Sequence, residues 1–356
     1  MKLFIHIGTE KTGSSHIQTL CVNARAHLQS SGIWFPKGIA RHEKRMRAGL
    51  VSAGNAFLLA QQGRKRDRAG VEKILESYRE EARSNACQSV FLTSELMLPY
   101  IADGDSWSLL FGEAKRIGYR SISVLILLRD PMDQLISLYK HRAKNGTAGR
   151  IDEWVERDYR LPEDLELLRK NAGGKDIELV ARRYTRKAGV LEQIFFYDWL
   201  SIEAPKVAMG GEVNPSLSLS ELELIRCLNE RRPSVVPFLR ERLQALSRVN
   251  MLQHGALEVY ARAVAERVVS ENREEWARWN RILPAGEKLC VPHGATNIPA
   301  WSGDVVFSAS QTATIASFMA TTARLRFILV LFWQSRLRPF LGRIRRWLKI
   351  EKAHLD

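Results

Sequence analysis

Cysteine is scarce in this chain. Its four residues, Cys21, Cys87, Cys227 and Cys290, lie far apart, with no C-x-x-C pair and no histidine cluster beside any of them. That pattern argues against a zinc site and a disulfide framework, and it predicts a reducing, cytoplasmic setting. Long apolar runs are missing too. The first run, Leu3 to Ile7, gives way to Gly8 and Glu10 and is too short for a signal-peptide core. A later one, Phe327 to Trp333, falls far below the roughly 20 residues that a bilayer span needs. No internal repeat is visible. Acids are also in short supply: 39 Asp and Glu face 54 Lys and Arg, a net charge of +15. This excess implies anionic partners such as nucleotides, acidic glycans or anionic lipid. Nucleic acid is set aside because no known reader motif accompanies the basic residues.

What is present is a globular composition, 45% hydrophobic over 356 residues, enough for one large domain or two small ones. Strand-like apolar runs at 3–7, 89–93 and 122–128 alternate with helical patterns at 71–86 and 131–144. Such alternation predicts an α/β fold with a parallel sheet covered on both faces. The fully apolar Val124–Leu128 reads as its central strand. A weaker strand signal at 192–197 would extend the sheet. Beyond Ser220 the pattern turns helical, over 219–230, 235–249 and 255–279, with breaks at Pro233 and Pro237. The expected layout is one domain over 1–320, with a helical cap region at about 219–280 and a basic amphipathic tail at 321–356. Two segments concentrate charge. Residues 36–68, read as a long irregular insertion, hold nine Lys and Arg against two acids, and the tail 324–356 holds nine against two, a formal +7.

The chemistry begins at Gly8-Thr9-Glu10-Lys11-Thr12-Gly13-Ser14-Ser15, which follows the first strand and opens a helix. A helix N-terminus entered through such a turn offers free N–H donors to a phosphate. In the G-x-x-x-x-G-K-[ST] loop the lysine follows the second glycine. Here Ser14 holds that place and the lysine, Lys11, lies earlier, so the expected nucleotide is not ATP. A second signal is Arg129-Asp130-Pro131 with Ser137 and Tyr139. Arg129 ends a strand, Pro131 starts a helix where its missing N–H is harmless, and Ser137 can return to the same anion. Two anion pockets on one strand-end rim fit a nucleotide with two phosphate clusters.

These residues resemble the sulfotransferases that use 3′-phosphoadenosine 5′-phosphosulfate. Lys11-Thr12-Gly13-Ser14-Ser15 is similar to their 5′-phosphosulfate loop, K-T-G-[ST]-[ST], and Arg129, Pro131, Ser137 and Tyr139 to their 3′-phosphate motif, R-x-P-x(5)-S-x-Y. Gly32–Pro36, Ala181–Tyr184 and Asn214–Ser218 resemble segments of bacterial members acting on surface polysaccharides. The resemblance implies a P-loop-like parallel sheet flanked by helices with a helical C-terminal part. It also implies metal-independent sulfuryl transfer to a hydroxyl of a carbohydrate or glycolipid acceptor, leaving adenosine 3′,5′-bisphosphate. Lys11 would neutralise the departing phosphate, Thr12, Gly13, Ser14 and Ser15 would hold the 5′-phosphate, and Arg129 and Ser137 the 3′-phosphate. The base expected from the resemblance is Glu95, which follows a strand as in the heparan-type E-K-[ST]-P-x-Y-F segment. Here Glu95-Leu96-Met97-Leu98-Pro99-Tyr100 keeps the glutamate without the lysine and with a different Pro-Tyr spacing.

Other readings stand beside these. An ATP-dependent kinase would take Asp130 as its nearest magnesium ligand, and a non-catalytic membrane-peripheral adaptor would lack a competent base. His6 reads as a packed core residue, Tyr139 and Tyr184 as packing aromatics, and Asn214 and Ser216 as helix caps. The basic insertion favours an acidic acceptor, and the tail an interfacial helix on the anionic inner face of the plasma membrane.

Overall fold

The computed structural model describes residues 1–172, 177–206, 217–231, 234, 236–246, 255–292, 294, 298–301 and 305–332, with 231, 245 and 323–332 described by backbone alone. Its centre is a five-stranded parallel sheet of β1 (Lys2–His6), β2 (Ile33–Trp34), β3 (Ser89–Thr93), β4 (Ser121–Leu128) and β5 (Ile177–Arg183). The spatial order is β2-β3-β1-β4-β5. Helices flank the sheet, so the molecule has the α/β, P-loop-like layout that the alternation of runs predicts.

Because every strand points the same way, all the strand C-termini share one rim. The chain leaves β1 toward β2 and β3 on one side and then crosses to β4 and β5 on the other. The crevice at the end of β1 is therefore a topological switch point, where α/β sheets bind ligands. Register places Phe4 opposite Phe91 and Ser123, and His6 opposite Thr93 and Leu125. Both faces are covered: Leu3, Ile5 and Val124–Leu128 are all at most 1% exposed. On one face Phe4 and Phe91 join Ile17, Leu20 and Cys21 of the helix Ser14–Asn23 and the aromatics Phe195, Phe196 and Trp199.

Those aromatics correct one expectation. The run 192–197 is not a strand: Gln193–Trp199 forms a π-helical turn. Its rings meet Phe91 edge-on, Phe195 at 5.3 Å and Trp199 at 5.9 Å, while the Trp199 Nε1 donates to Ser123 Oγ at 2.8 Å. The apolar run covers the sheet instead of joining it. The edge position falls to Ile177–Arg183, whose mixed polar residues hide it in the sequence. The insertion 36–68 is also more ordered than read, with helices Ala40–Arg47 and Phe57–Arg64. The helical pattern at 255–279 is two helices, Ala256–Glu271 and Arg273–Ile282.

The chain divides into two compact units, 1–215 with 256–302, and 216–255 with 303–356. The first contains the whole sheet. In the second, within the helices Leu219–Arg231, Val236–Leu246 and Ala309–Phe332, Glu221 is buried and accepts from Gln311 Nε2 at 2.8 Å. Asn214, Ser216 and Pro233 lie outside the described residues, as does the tail from Trp333 onward.

Candidate functional site

Between His6 and Ser14 the chain makes a tight loop that two glycines permit. A Cβ at Gly8 would stand 2.5 Å from Ser14 Oγ and 2.9 Å from His6 Nε2. At Gly13, where φ is +84°, it would stand 2.7 Å from Leu191 Cδ2 and 2.9 Å from the Tyr184 ring. Lys11 is itself left-handed, with φ at 71°. A non-glycine residue held there stores roughly 1–3 kcal/mol of strain, which its surroundings must offset. They do so with side chains: Thr9 Oγ1 donates to the Leu127 carbonyl of β4 at 3.0 Å, and Thr12 Oγ1 donates to the Thr9 carbonyl. From the helix Pro131–Lys144, Gln134 Nε2 donates to the Glu10 carbonyl, and Arg142 grips both Glu10 carboxylate oxygens at 2.8 and 2.9 Å.

The helix that follows is open toward an anion. Gly13 supplies no side-chain cap, the first turn carries no acid, and main-chain bonds to the Gly13 carbonyl begin only at His16 and Ile17. The N–H groups before them are the donors a helix end leaves free. Ser14 Oγ, 1% exposed, lies beside the Glu95 carboxyl without completing a well-directed hydrogen bond, and buried polar atoms of His6, Gln18 and Gln134 are also unsatisfied. Orphaned buried polar atoms gathered at one loop fit a polar ligand or ordered water.

Charge converges on Lys11. Burial acts most strongly on it and lowers its pKa, with Glu95 and Glu10 acting upward and Arg129 and Arg186 downward. Arg129, at the end of β4 with its side chain 11% exposed, is likewise lowered by burial and by Arg186, against Asp133 at 3.6 Å. Glu95 follows β3 and retains some accessible surface, but its carboxyl is enclosed in protein. That desolvation, with Glu10 adding to it, pushes the carboxyl up to about 7, against the Ser14 hydroxyl, Lys11 and Arg142. A carboxyl with that proton affinity is poised for general-base work near neutral pH. His141 is pulled down to about 4 by burial, Lys11, Arg142 and Lys144. His6, fully buried with Nδ1 2.9 Å from Thr93 Oγ1, is held down to about 3 by burial and is a neutral core residue.

The rim thus gathers Lys11, Gly13, Ser14, Ser15, Glu95 and Arg129. Ser137 lies half-buried in the helix Pro131–Lys144, eight residues after Arg129. Thr12 is placed differently from its neighbours: its buried hydroxyl braces the loop from inside, which leaves the backbone N–H for an anion. Tyr139 packs against Trp154 and donates to the Gly149 carbonyl at 3.1 Å, as a packing aromatic does. Asp130 accepts from Arg183 Nη2 and from the Cys290 N–H at 2.8 Å, so its oxygens are already engaged. Sequence reasoning missed Glu10, His141, Arg142 and Arg186. His141 had a signal, since it lies four residues after Ser137 and so on the same helix face. Arg186 follows the unpredicted strand β5. Comparison with protein-family models, with curated proteins and with solved structures finds no match, so the reading of this site rests on its geometry.

Proposed function

We propose that this protein is a sulfotransferase that moves the sulfuryl group of 3′-phosphoadenosine 5′-phosphosulfate to a hydroxyl of a carbohydrate or glycolipid acceptor. The observation that carries the reading is the meeting of three groups on one rim: the loop cation Lys11, the strand-end cation Arg129 and the high-pKa carboxyl of Glu95. An uncapped helix end with two serines suits the 5′-phosphate, and Arg129 with Ser137 the 3′-phosphate. In the transfer, Glu95 takes the acceptor proton as the acceptor oxygen bonds to sulfur. The bond from sulfur to the 5′-phosphate oxygen breaks, and Lys11 meets the charge left on that oxygen. The chain's own residues supply each role without a metal. A kinase would need a carboxylate for magnesium, and Asp130, the ligand the sequence offers for that role, is committed to Arg183 and Cys290.

The acceptor approaches past the segment 36–56, which lies against the end of β3, next to Glu95. Asn55, 1% exposed, donates to the Pro36 and Phe91 carbonyls at 3.3 and 3.1 Å and accepts from the Thr93 N–H at 2.8 Å. Lys37, Arg41, Lys44 and Arg45 of this segment are exposed, which favours an acidic acceptor. Among the described residues no helix is long and apolar enough to cross a membrane. Attachment at the inner face of a membrane through 324–356 belongs to the proposal as a peripheral contact.

Thermal-shift titration tests the core of this reading. Adenosine 3′,5′-bisphosphate should raise Tm in a concentration-dependent way without metal. Stabilisation by ATP with magnesium and none by the bisphosphate would sink it.

A further inference from the structure

The contact between the loop and the helix Pro131–Lys144 reaches beyond the groups assigned above. We propose that Glu10, clamped by Arg142, is a positioning residue that sets both the turn presenting Lys11 and the charge around the Glu95 carboxyl. The inference rests on the sulfotransferase reading for the name of the reaction, and on geometry alone for the clamp. Glu10 is tied to one helix at two points, its carbonyl by Gln134 and its carboxylate by both contacts from Arg142, at 2.8 and 2.9 Å. Thr9 is tied to β4 at Leu127, and Thr12 is tied back to Thr9. With residues 9, 10 and 12 fixed, the loop must turn at Lys11, and it does so with a left-handed φ of 71°. The same helix carries Ser137 and His141 and begins two residues after Arg129, so the clamp joins the loop expected to hold one phosphate to the element expected to hold the other.

The pair also acts electrostatically. The charged groups facing Glu95 are Glu10, Lys11 and Arg142; those facing Lys11 are Glu95, Glu10, Arg129 and Arg186. Glu10 opposes ionisation of Glu95, whereas Arg142 and Lys11 favour it. Removing the acid and removing the base of the clamp should therefore move Glu95 in opposite directions, while both loosen the loop. A purely structural role would loosen the loop and leave no such opposition.

The test uses the full chain without nucleotide, in three variants. Hydrogen exchange of the amides in 8–15 reports the clamp, and carbon-13 titration of the Glu95 carboxyl, assigned through Glu95→Gln, reports the charge. Glu10→Gln should speed loop exchange several-fold and lower the Glu95 midpoint; Arg142→Gln should speed exchange and raise the midpoint. Arg142→Lys keeps the charge but replaces the planar guanidinium, whose Nη2 meets both Glu10 oxygens, with a shorter ammonium, so exchange should speed up with the midpoint unmoved. Unchanged exchange in all three variants, or midpoints that move together in Glu10→Gln and Arg142→Gln, would overturn the proposal. Neither readout needs bound nucleotide, so a wild-type protein that ignores the bisphosphate would defeat the transferase reading while leaving these results to judge the clamp.

Discussion

At the scale of single residues, Glu95 and Lys11 both sit where the fold would be more stable without them. Glu95 has its pKa raised to about 7 from a usual 4.5, so the folded state binds a proton that the unfolded chain releases. Its contribution to stability is complete below the unfolded value and is lost as pH rises through about 7, a difference on the order of 3 kcal/mol at pH 8. Glu95→Gln should therefore raise Tm at pH 8, leave it unchanged near pH 4, and abolish turnover; a lower Tm at pH 8 would show that the carboxylate is stabilised in place. In the wild type, kcat/KM should fall as pH drops below about 7, where the base becomes protonated. Lys11 stores backbone strain instead. Lys11→Gly should be more stable than Lys11→Ala by about 1 kcal/mol, because only glycine takes a positive φ without cost. Both should reduce turnover more than affinity for the bisphosphate product, measured by calorimetry beside single-turnover rates.

Among the elements, the insertion between β2 and β3 shows how far pattern reading reaches. Its charge was visible, its structure was not. Glu43 illustrates why: burial opposes its ionisation, but the two contacts from Arg25 hold its carboxyl below the usual range, and Arg25 also donates to the Phe35 carbonyl at 3.1 Å. The helix Ala40–Arg47 is thus organised by partners outside itself. Asn55 is the other anchor, and Asn55→Ala would leave the Pro36 and Phe91 carbonyls and the Thr93 N–H without its bonds. With each buried polar group costing about 1–3 kcal/mol, the loss should be about 3–5 kcal/mol by urea unfolding. A loss below about 1 kcal/mol would mean that water replaces the amide. The π-helical turn Gln193–Trp199 teaches the same lesson from the apolar side. A short run of Ile and Phe fits a strand or a covering helix equally well, and the vacant face beside Phe4 and Phe91 decided it.

For the whole molecule, the excess of +15 is an argument about partners rather than about fold. Vesicles rich in anionic lipid should retain the full chain in flotation at low salt and release it as salt rises, since screening shortens the reach of surface charge. Removal of 324–356 should abolish retention. Equal flotation of the two chains would assign membrane affinity to some other surface, or to none.

The sequence by itself determined the parallel α/β sheet, the helix over 131–144 and the loop with its displaced lysine, because apolar periodicity, a proline at a helix start and paired glycines are local signals. It also pointed to Lys11 and Arg129 on one strand-end rim, and to Glu95 through the resemblance, without saying how deeply each is buried or which charges surround it. Only the tertiary structure decided the rest. The strand order brings the ends of β1, β3 and β4 together, and that proximity is what buries Glu95 and raises its pKa. The tie of Glu10 to Arg142 spans two elements with no shared pattern, and Arg186 follows a strand whose mixed residues look like loop. Desolvation and long-range pairing depend on what surrounds a side chain in space, and a linear pattern does not contain it.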